Sequence, residues 1–473
     1  MMDAFTHETF LSPFSWRYGS AEMRNIWSQF HQRRLWRRVW VALASVQAEA
    51  GLVSEAQVED LRAHQDAIDW ERAQELERAL RHDLMAEVRT YAEQCAVGGG
   101  IIHLGATSMD IEDNAEALRI REALALVRAG IAKLLRALMV HIQAEADTVV
   151  MAYTHIQPAE PTTVGYRLAQ YAYEFLCDLQ SLDAFVVRGK GFKGAVGTAA
   201  SYAHLLAGTD MTPEEMERRV MERLGLEAMP VTTQTYSRKM DYGVLAILAG
   251  IAASAHKLAL DMRLLQSPLF GEMSEPFGRQ QVGSSAMPFK RNPINAESVC
   301  SLARYVASLP QVTWSNAALS MLERTLDDSA NRRTVLPEAF LAVDEILSRL
   351  TRIVTGLTIG RPAIARNLAV YGPFSGTEPL LMALVKAGAD RQAMHEVIRD
   401  ASMTAWAAIQ TGSQNPLVDL LTTRPDVLRW LSPETVRSIM AQGADAGQAP
   451  AMSRALCTRI EAYLEQAPQH TQR

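Results

Sequence analysis

Val244, Leu248, Ile251, Ala255, Leu258, Met262 and Leu265 recur at spacings of four and three. That is the period of an α-helix, and a stripe sustained this long is a bundle seam. Ala246, Ala249, Gly250, Ala252 and Ala253 surround it, small enough for neighbours to approach from several sides. Leu124, Val127, Ile131, Leu134 and Leu138 form a second stripe, and Leu168, Tyr171, Phe175, Leu179, Leu182 and Val186 a third. Residues 294–309 and 337–357 read as two further helices. Alternating strand patterns are nearly absent; only residues 193–198 suggest a short strand or turn. The expected fold class is all-α.

Thr107-Ser108-Met109-Asp110 reads as a capping box that opens the first long helix. Gly98-Gly99-Gly100 and Gly360-Arg361-Pro362 mark breaks on either side of the bundle. The expected organisation is an N-terminal helical domain over 1–106, a central bundle carrying a catalytic loop over 107–359, and a C-terminal helical domain over 360–473. Helices apolar on more than one side suggest contact with partner chains, although a monomeric bundle would bury such faces equally well.

A net charge of −6 and a pI near 6.0 argue against nucleic-acid or membrane-surface partners, while leaving room for a local basic pocket. Cys95, Cys177, Cys300 and Cys457 are scattered with no CxxC pair, so neither a zinc site nor a disulfide framework is expected, and the compartment expected is the reducing cytosol. The stretch 1–18 lacks the apolar segment of a signal peptide, and the apolar run 243–255 is too short to span a bilayer. No Walker A loop, dinucleotide fingerprint or Glu-x-x-His is present. Asp327-Asp328 has no histidine or third carboxylate near it in sequence, so no metal is expected there.

The polar residues cluster in a few places. Gly283-Ser284-Ser285-Ala286-Met287-Pro288-Phe289-Lys290-Arg291-Asn292-Pro293 sets two hydroxyls, a lysine, an arginine and an amide in one irregular stretch. Asn292 reads as a helix N-cap and Pro293 as the first helical residue, so backbone N–H groups, the helix dipole and Lys290 would all favour an anion there. His155, expected just ahead of a helix, and His82, in Arg81-His82-Asp83, are candidate proton carriers. Taken alone, His155 is explained as a polar group at a helix entrance and His82 as a solvated partner of Asp83. Arg17-Tyr18 follows a Ser-Pro turn, and Arg324, Ser329 and Arg333 lie in a stretch that also reads as a solvated helix face with ion pairs four residues apart.

The Ser284 run resembles the GSSxMPxKxNP loop of the fumarase/aspartase superfamily, whose enzymes eliminate fumarate or a related acid from a substituted succinate. Within it the chain is similar to the adenylosuccinate lyases. Ser15-Trp16-Arg17-Tyr18, Arg81-His82-Asp83-Leu84-Met85-Ala86, His103-Leu104-Gly105-Ala106-Thr107-Ser108, Thr154-His155-Ile156-Gln157-Pro158-Ala159-Glu160 and Gln234-Thr235-Tyr236-Ser237-Arg238-Lys239 carry the likeness, with the serine loop and the stretch from Arg324 to Arg333. The resemblance implies three helical domains around a long central five-helix bundle. It implies Ser284 as general base and His155 as general acid, with Lys290 and His82 beside them. Arg17, Tyr18, Arg81, Asp83, Thr107, Ser108, Gln234, Asn292, Arg324, Ser329 and Arg333 match substrate contacts. It further implies a cytoplasmic homotetramer without metal or organic cofactor, each site built from three chains. The reactions implied are adenylosuccinate to AMP and SAICAR to AICAR, both releasing fumarate in purine synthesis.

Three positions depart from that pattern. Ser298 stands where some members carry a substrate-contacting arginine, Glu87 where some carry a histidine, and Tyr166 where others carry a lysine. Ser298 keeps open a related C–N lyase acting on another N-succinyl compound. A non-catalytic structural or binding protein that retained the fold is the alternative from another class.

Overall fold

A computed structural model of the chain describes residues 6–466. Residues 1–5 and 467–473, the outer ends of the first and third expected domains and the start of the stretch read as lacking a signal peptide, lie outside the described residues. The N-terminal region holds helices α1 (Ala21–Ile26), α2 (Gln29–Glu49), α3 (Glu55–His64), α4 (Trp70–Leu80) and α5 (Asp83–Gln94). Ser20 and Ser28 start α1 and α2 by accepting the Met23 and His31 N–H groups, each at 3.1 Å. α2 is buried along Trp36, Val39, Trp40, Leu43 and Val46.

Arg33 and Arg37 are also buried on α2, where an unpaired charge would be very costly. Glu87 of α5 answers both: its carboxylate accepts from Arg33 Nη1 and Arg37 Nε, each at 2.7 Å. The departure at position 87 is thereby explained as one member of a buried ion triad.

The centre of the molecule is built from α6 (Ser108–Ala144), a hairpin of β1 (Val149–Thr154) and β2 (Gln157–Thr163), and α7 (Val164–Ala184). Next come β3 (Arg188–Gly189), α8 (Ala200–Leu205), α9 (Pro213–Leu224), β4 (Glu227–Ala228) and α10 (Lys239–Gln266). β5 (Met273–Ser274), α11 (Ile294–Ser308), α12 (Pro310–Ala318), α13 (Ser329–Thr355) and β6 (Thr358–Ile359) complete it. The five helices α6, α7, α10, α11 and α13 lie against one another as the expected bundle. β3 pairs with β4 in parallel and β5 with β6 antiparallel, each over two residues.

α10 is longer than the apolar run 243–255, because its periodic face continues to Gln266. It and the stretch Arg361–Lys386 are long and apolar enough to cross a membrane by length and composition. α10, however, lies against α7, α11, α12 and α13. α13 begins at Ser329, eight residues before the start expected at 337, and Pro337 sits inside it. A mid-helix proline costs about 3 kcal/mol. Val335, Leu336, Ala339 and Phe340 flank it and are buried, which offsets that cost at roughly 1.5–3 kcal/mol for each large side chain.

α14 (Arg361–Ser375) lies on the β1–β2 hairpin. Helices Thr377–Lys386, Arg391–Gln410, Leu417–Thr423, Pro425–Leu428 and Pro433–Gln442 (α15–α19) gather a separate small core around Leu380, Leu384, Ile398, Leu417, Leu421 and Val436. α20 (Ala449–Glu465) returns to α6 and α7 and buries Cys457 and Ile460 in the large core that also holds α1–α3 and α5.

Replacing Glu87 with alanine strands two buried guanidinium groups. Glu87→Ala is expected to lose about 3–5 kcal/mol of stability, read as a lowered urea midpoint with an unchanged slope. A midpoint within error of the parent would remove the triad from the fold's support.

Candidate functional site

A cleft of about 900 Å³ opens at the end of the bundle where α6 and α13 begin. Arg81, His82, Asp83, Ser108, Gln234, Arg324, Ser329 and Arg333 line it, together with Trp70, Gln74, Glu77, Arg78, Met109, Glu112 and Leu326. The chain reaches it through an unusual turn. Arg81 closes α4 in the left-handed region, at φ 55°, which lets α5 start at once with His82 as its N-cap. His82 Nδ1 accepts the Met85 N–H at 3.4 Å and lies 3.8 Å from Asp83 Oδ1. Arg333 Nη2 donates to Asp83 Oδ2 at 2.9 Å, joining α13 to α5 across the cleft. Thr107 precedes α6 beside Ser108, and its N–H donates to the buried Asp110 at 3.0 Å, one arm of the expected capping box.

Below the cleft lies a buried polar network. Arg238 donates to Asp113 at 2.9 Å and to Asp328 at 2.6 Å, and Arg324 reaches Asp328 at 3.1 Å. Arg332 donates to Asp241 and to the Tyr236 hydroxyl, both at 2.7 Å, and that hydroxyl donates to Asp241 at 2.6 Å. Burial pushes the Asp328 carboxyl up, but Arg238, Arg324 and Arg332 together hold it below the usual range. Asp328 is thus engaged by arginines and Asp327 by the Thr325 hydroxyl. The segment 234–239 contributes Gln234 to the cleft and Tyr236 and Arg238 to its foundation.

The serine loop lies at the other end of the bundle. Ser284 is half-buried, and its Oγ accepts the N–H groups of Ala286 and Met287 at 3.3 and 3.1 Å. Lys290 is exposed, with no carboxylate in ion-pair reach among the described residues. Asn292 does not cap the following helix. Its amide donates to Gly283 O at 3.1 Å and ties the two ends of the loop together. A Cβ at Gly283 would meet Lys290 O at 1.8 Å, so only glycine fits that approach. Pro293 stands at the N-cap, and Ile294 is the first helical residue. The free N–H groups of Asn295 and Ala296 are taken by the Glu275 carboxylate at 3.2 and 3.0 Å. The helix end expected to attract an anion is therefore already occupied by a side chain from 19 residues upstream of Ile294, a partner that local sequence does not reveal.

His155 does not precede a helix either. It forms, with Ile156, the two-residue tip of the β1–β2 hairpin. Both residues have positive φ, 54° and 61°. Such tips favour Asn and Gly, and a non-glycine held there stores roughly 1–3 kcal/mol of strain. Ile156 is 64% exposed and His155 is exposed beside it. Tyr153 in the same hairpin donates to Glu272 Oε1 at 3.2 Å, which holds the tip beside β5 and hence at the serine-loop end.

Arg17 and Tyr18 sit along the side of the bundle. The Gly19 and Ser20 N–H groups donate to Glu345 at 3.1 Å and Asp344 at 2.5 Å, fixing this turn on α13. Arg24 donates to Gly19 O at 2.6 Å, and Arg17 stays exposed.

α6 spans 37 residues and α10 spans 28. At 1.5 Å per residue they are about 55 and about 42 Å long. The cleft adjoins the start of both, whereas the hairpin follows the end of α6 and the serine loop follows the end of α10. One chain therefore gathers the cleft residues but does not bring Ser284, Lys290, Asn292, His155, Arg17 or Tyr18 to them.

Asp60, His64 and Cys95 offer ligand atoms within 4.8 Å of one another. Asp60 Oδ2 already accepts the Val97 and Gly98 N–H groups, and burial pushes the Cys95 thiol up to about 11, so both groups are poorly prepared for a cation.

Sequence reasoning missed Glu112. It stands one turn after Ser108 on the cleft face of α6, and that four-residue spacing was the available signal. Burial, with Asp83 and Asp113 nearby, pushes its carboxyl up to about 8, although Arg333 and Arg324 pull it back.

Residues 18–307 match the family described as Lyase, and residues 373–456 the one described as Adenylosuccinate lyase C-terminus. The adenylosuccinate lyase of Saccharomyces cerevisiae is 39% identical over 454 residues, covering 94% of this chain and 93% of its own. That of Schistosoma mansoni is 39% identical over 427 residues, covering 89% and 88%. In fold, the chain is similar to the crystal structure of 3-carboxy-cis,cis-muconate lactonizing enzyme from Pseudomonas putida, with TM-score 0.83, 24% identity and coverage of 95% and 99%.

The high Glu112 pKa makes a stability prediction. The folded state holds this proton up to about pH 8, whereas an unfolded glutamate releases it near 4.5. The contribution is complete below about 4.5 and is lost as pH rises through about 8. Glu112→Gln should flatten the fall of the urea midpoint over that interval; the parent's slope persisting in the variant would assign the effect elsewhere.

Proposed function

The chain belongs to the adenylosuccinate lyase family, and we propose that it releases fumarate from adenylosuccinate to give AMP and from SAICAR to give AICAR. It is a carbon–nitrogen lyase. The observation that carries the substrate reading is the cleft, where Arg81, His82, Ser108, Gln234, Arg324, Ser329 and Arg333 converge from separate segments. Such a substrate carries roughly four negative charges from its phosphate and two carboxylates. An acidic chain must concentrate cations locally to hold it, and guanidinium groups suit both kinds of oxyanion.

The reaction takes a proton from the succinyl carbon beside a carboxylate and then breaks the C–N bond. Ser284 is the proposed base. Its Oγ already accepts two backbone N–H groups, an arrangement that favours the anionic form. Lys290 carries the charge that lowers the cost of a second negative charge on the substrate carboxylate once the loop closes and water is excluded. The carbon-bound proton passes to Ser284 Oγ, and the C–N bonding pair goes to the departing nitrogen. Protonated His155 donates to that nitrogen, and the strained hairpin tip projects it outward for the purpose.

The proposed assembly is a homotetramer with each site formed by three chains. The separation of the serine loop from the cleft supports this, because only another copy can deliver Ser284 and His155 to His82. Exposed apolar side chains support it as well: Leu260 and Leu264 on α10, and Val282 and Phe289 in the serine loop. The proposed compartment is the cytoplasm, which suits four cysteines standing as free thiols.

Ser284→Ala is expected to abolish fumarate release while substrate still binds, and His155→Ala to lower kcat by about 10²–10⁴. Equal kcat in either variant would remove that residue from the mechanism. Mixing and reassembling inactive Ser284→Ala and His82→Ala proteins should restore part of the activity, since some composite sites then carry both intact residues. Activity that stays at zero after demonstrated subunit exchange would refute the shared site.

A further inference from the structure

We propose that Glu112 recognises the substrate's ribose, hydrogen-bonding its vicinal hydroxyls, and so selects ribonucleotides over deoxyribonucleotides. The inference deepens the lyase reading and rests on it for the identity of the ligand.

Three carboxyls line the cleft: Glu77, Asp83 and Glu112. Glu77 accepts from Arg33 at 3.2 Å and Asp83 from Arg333 at 2.9 Å. Glu112 has no hydrogen-bond partner among the described residues, although it is half-buried. Its neighbours offer none in its place, because Arg333 turns to Asp83 and Arg324 to Asp328. An unpaired, partly buried carboxyl is destabilising by itself, and beside an anionic ligand it is worse. It becomes favourable only where the ligand brings hydrogen-bond donors.

The donors on the ligand are few. The phosphate and the two succinyl carboxylates have none when ionised. The nitrogen that carries the succinyl group is the reacting atom and belongs to the proton donor. On adenylosuccinate the 2′ and 3′ hydroxyls remain; SAICAR adds its ring amino group, so the hydroxyls are the donors the two substrates share. A carboxyl matches a vicinal diol in either state: ionised, it accepts from both hydroxyls; protonated, it accepts with one oxygen and donates with the other. Burial pushes Glu112 up to about 8, so the neutral form prevails at neutral pH and sits beside the anionic ligand without repelling it. Ser108, one turn before Glu112 on the same face, gives the sugar a second polar contact.

The test measures binding of AMP, 2′-deoxy-AMP and 3′-deoxy-AMP by calorimetry to the wild-type protein, Glu112→Ala and Glu112→Gln, with fumarate release from adenylosuccinate assayed in parallel. Wild type should bind AMP about tenfold more tightly than at least one deoxy form, the size of one lost hydrogen bond. Glu112→Ala should bind AMP about tenfold more weakly and lose the preference, with the effect on turnover in KM rather than kcat. Glu112→Gln, nearly isosteric and able to accept from one hydroxyl, should keep part of it. A wild type without preference, or a folded Glu112→Ala that keeps it in full, overturns the proposal. Loss of preference in the variants without fumarate release by the wild type would instead refute the lyase reading and leave ribose recognition standing.

Discussion

The straight run of α6 and α10 is the constraint on which everything else depends. A helix cannot fold back, so residues attached to opposite ends of these two stay about 40–55 Å apart. The cleft belongs to one end, and the serine loop and the His155 hairpin to the other. A chain with this geometry keeps the two groups of proposed site residues apart. The proposed completion by other copies rests on this length and on the apolar side chains left exposed near the serine loop.

The second requirement is electrostatic. The chain is acidic overall, yet its proposed ligand is a multiple anion. The conflict is resolved by depth. Asp113, Asp241 and Asp328 lie beneath the cleft, where Arg238 and Arg332 engage them. Arg78 and Arg81 face the cleft with no carboxylate in ion-pair reach among the described residues, and Arg333 faces it while paired with Asp83. The same device appears at Glu87, which turns two buried arginines of α2 into a brace for α5, the helix that His82 caps. Each polar network braces an element that carries a proposed site residue.

The bundle was legible because its helices bury continuous stripes: the seven-residue series from Val244 to Leu265 lies on one buried face of α10. The family motifs name residues that share one cleft, and Arg81, His82, Asp83, Ser108 and Ser329 among them stand at helix ends where the backbone fixes them. What escaped depends on contacts distant in sequence or on masked periodicity. The strand Gln157–Thr163 contains two prolines and little alternation, so the hairpin did not show and His155 was expected beside a helix. Asn292 has the residue type of a cap, but Glu275 outcompetes it by meeting two N–H groups with one carboxylate. Pro337 resembled a start because local rules forbid it mid-helix, whereas the apolar residues around it are buried on both sides. Glu112 was hidden because the face of α6 that opens to the cleft is set by α5 and α13.

The proposed closure of the serine loop over substrate needs fixed ends, and the structure supplies them. Gln266 at the end of α10 donates to Arg291 O at 3.0 Å, and Asn292 holds Gly283. Glu275 caps α11 and also accepts from the Asn295 amide at 3.1 Å. Arg349 on α13 donates to Asn295 Oδ1 at 3.3 Å and to Glu345 at 2.6 Å, and Glu345 in turn receives the Gly19 N–H. One polar chain thus runs from the Arg17 turn to the helix that follows the serine loop. These bonds anchor the loop's ends to α10 and α11, so the proposed closure is confined to residues 284–290. The Arg17 turn and the base of the serine loop are accordingly joined in one hydrogen-bonded frame, and the seven residues between its anchors, from Ser284 to Lys290, are the part proposed to meet the substrate.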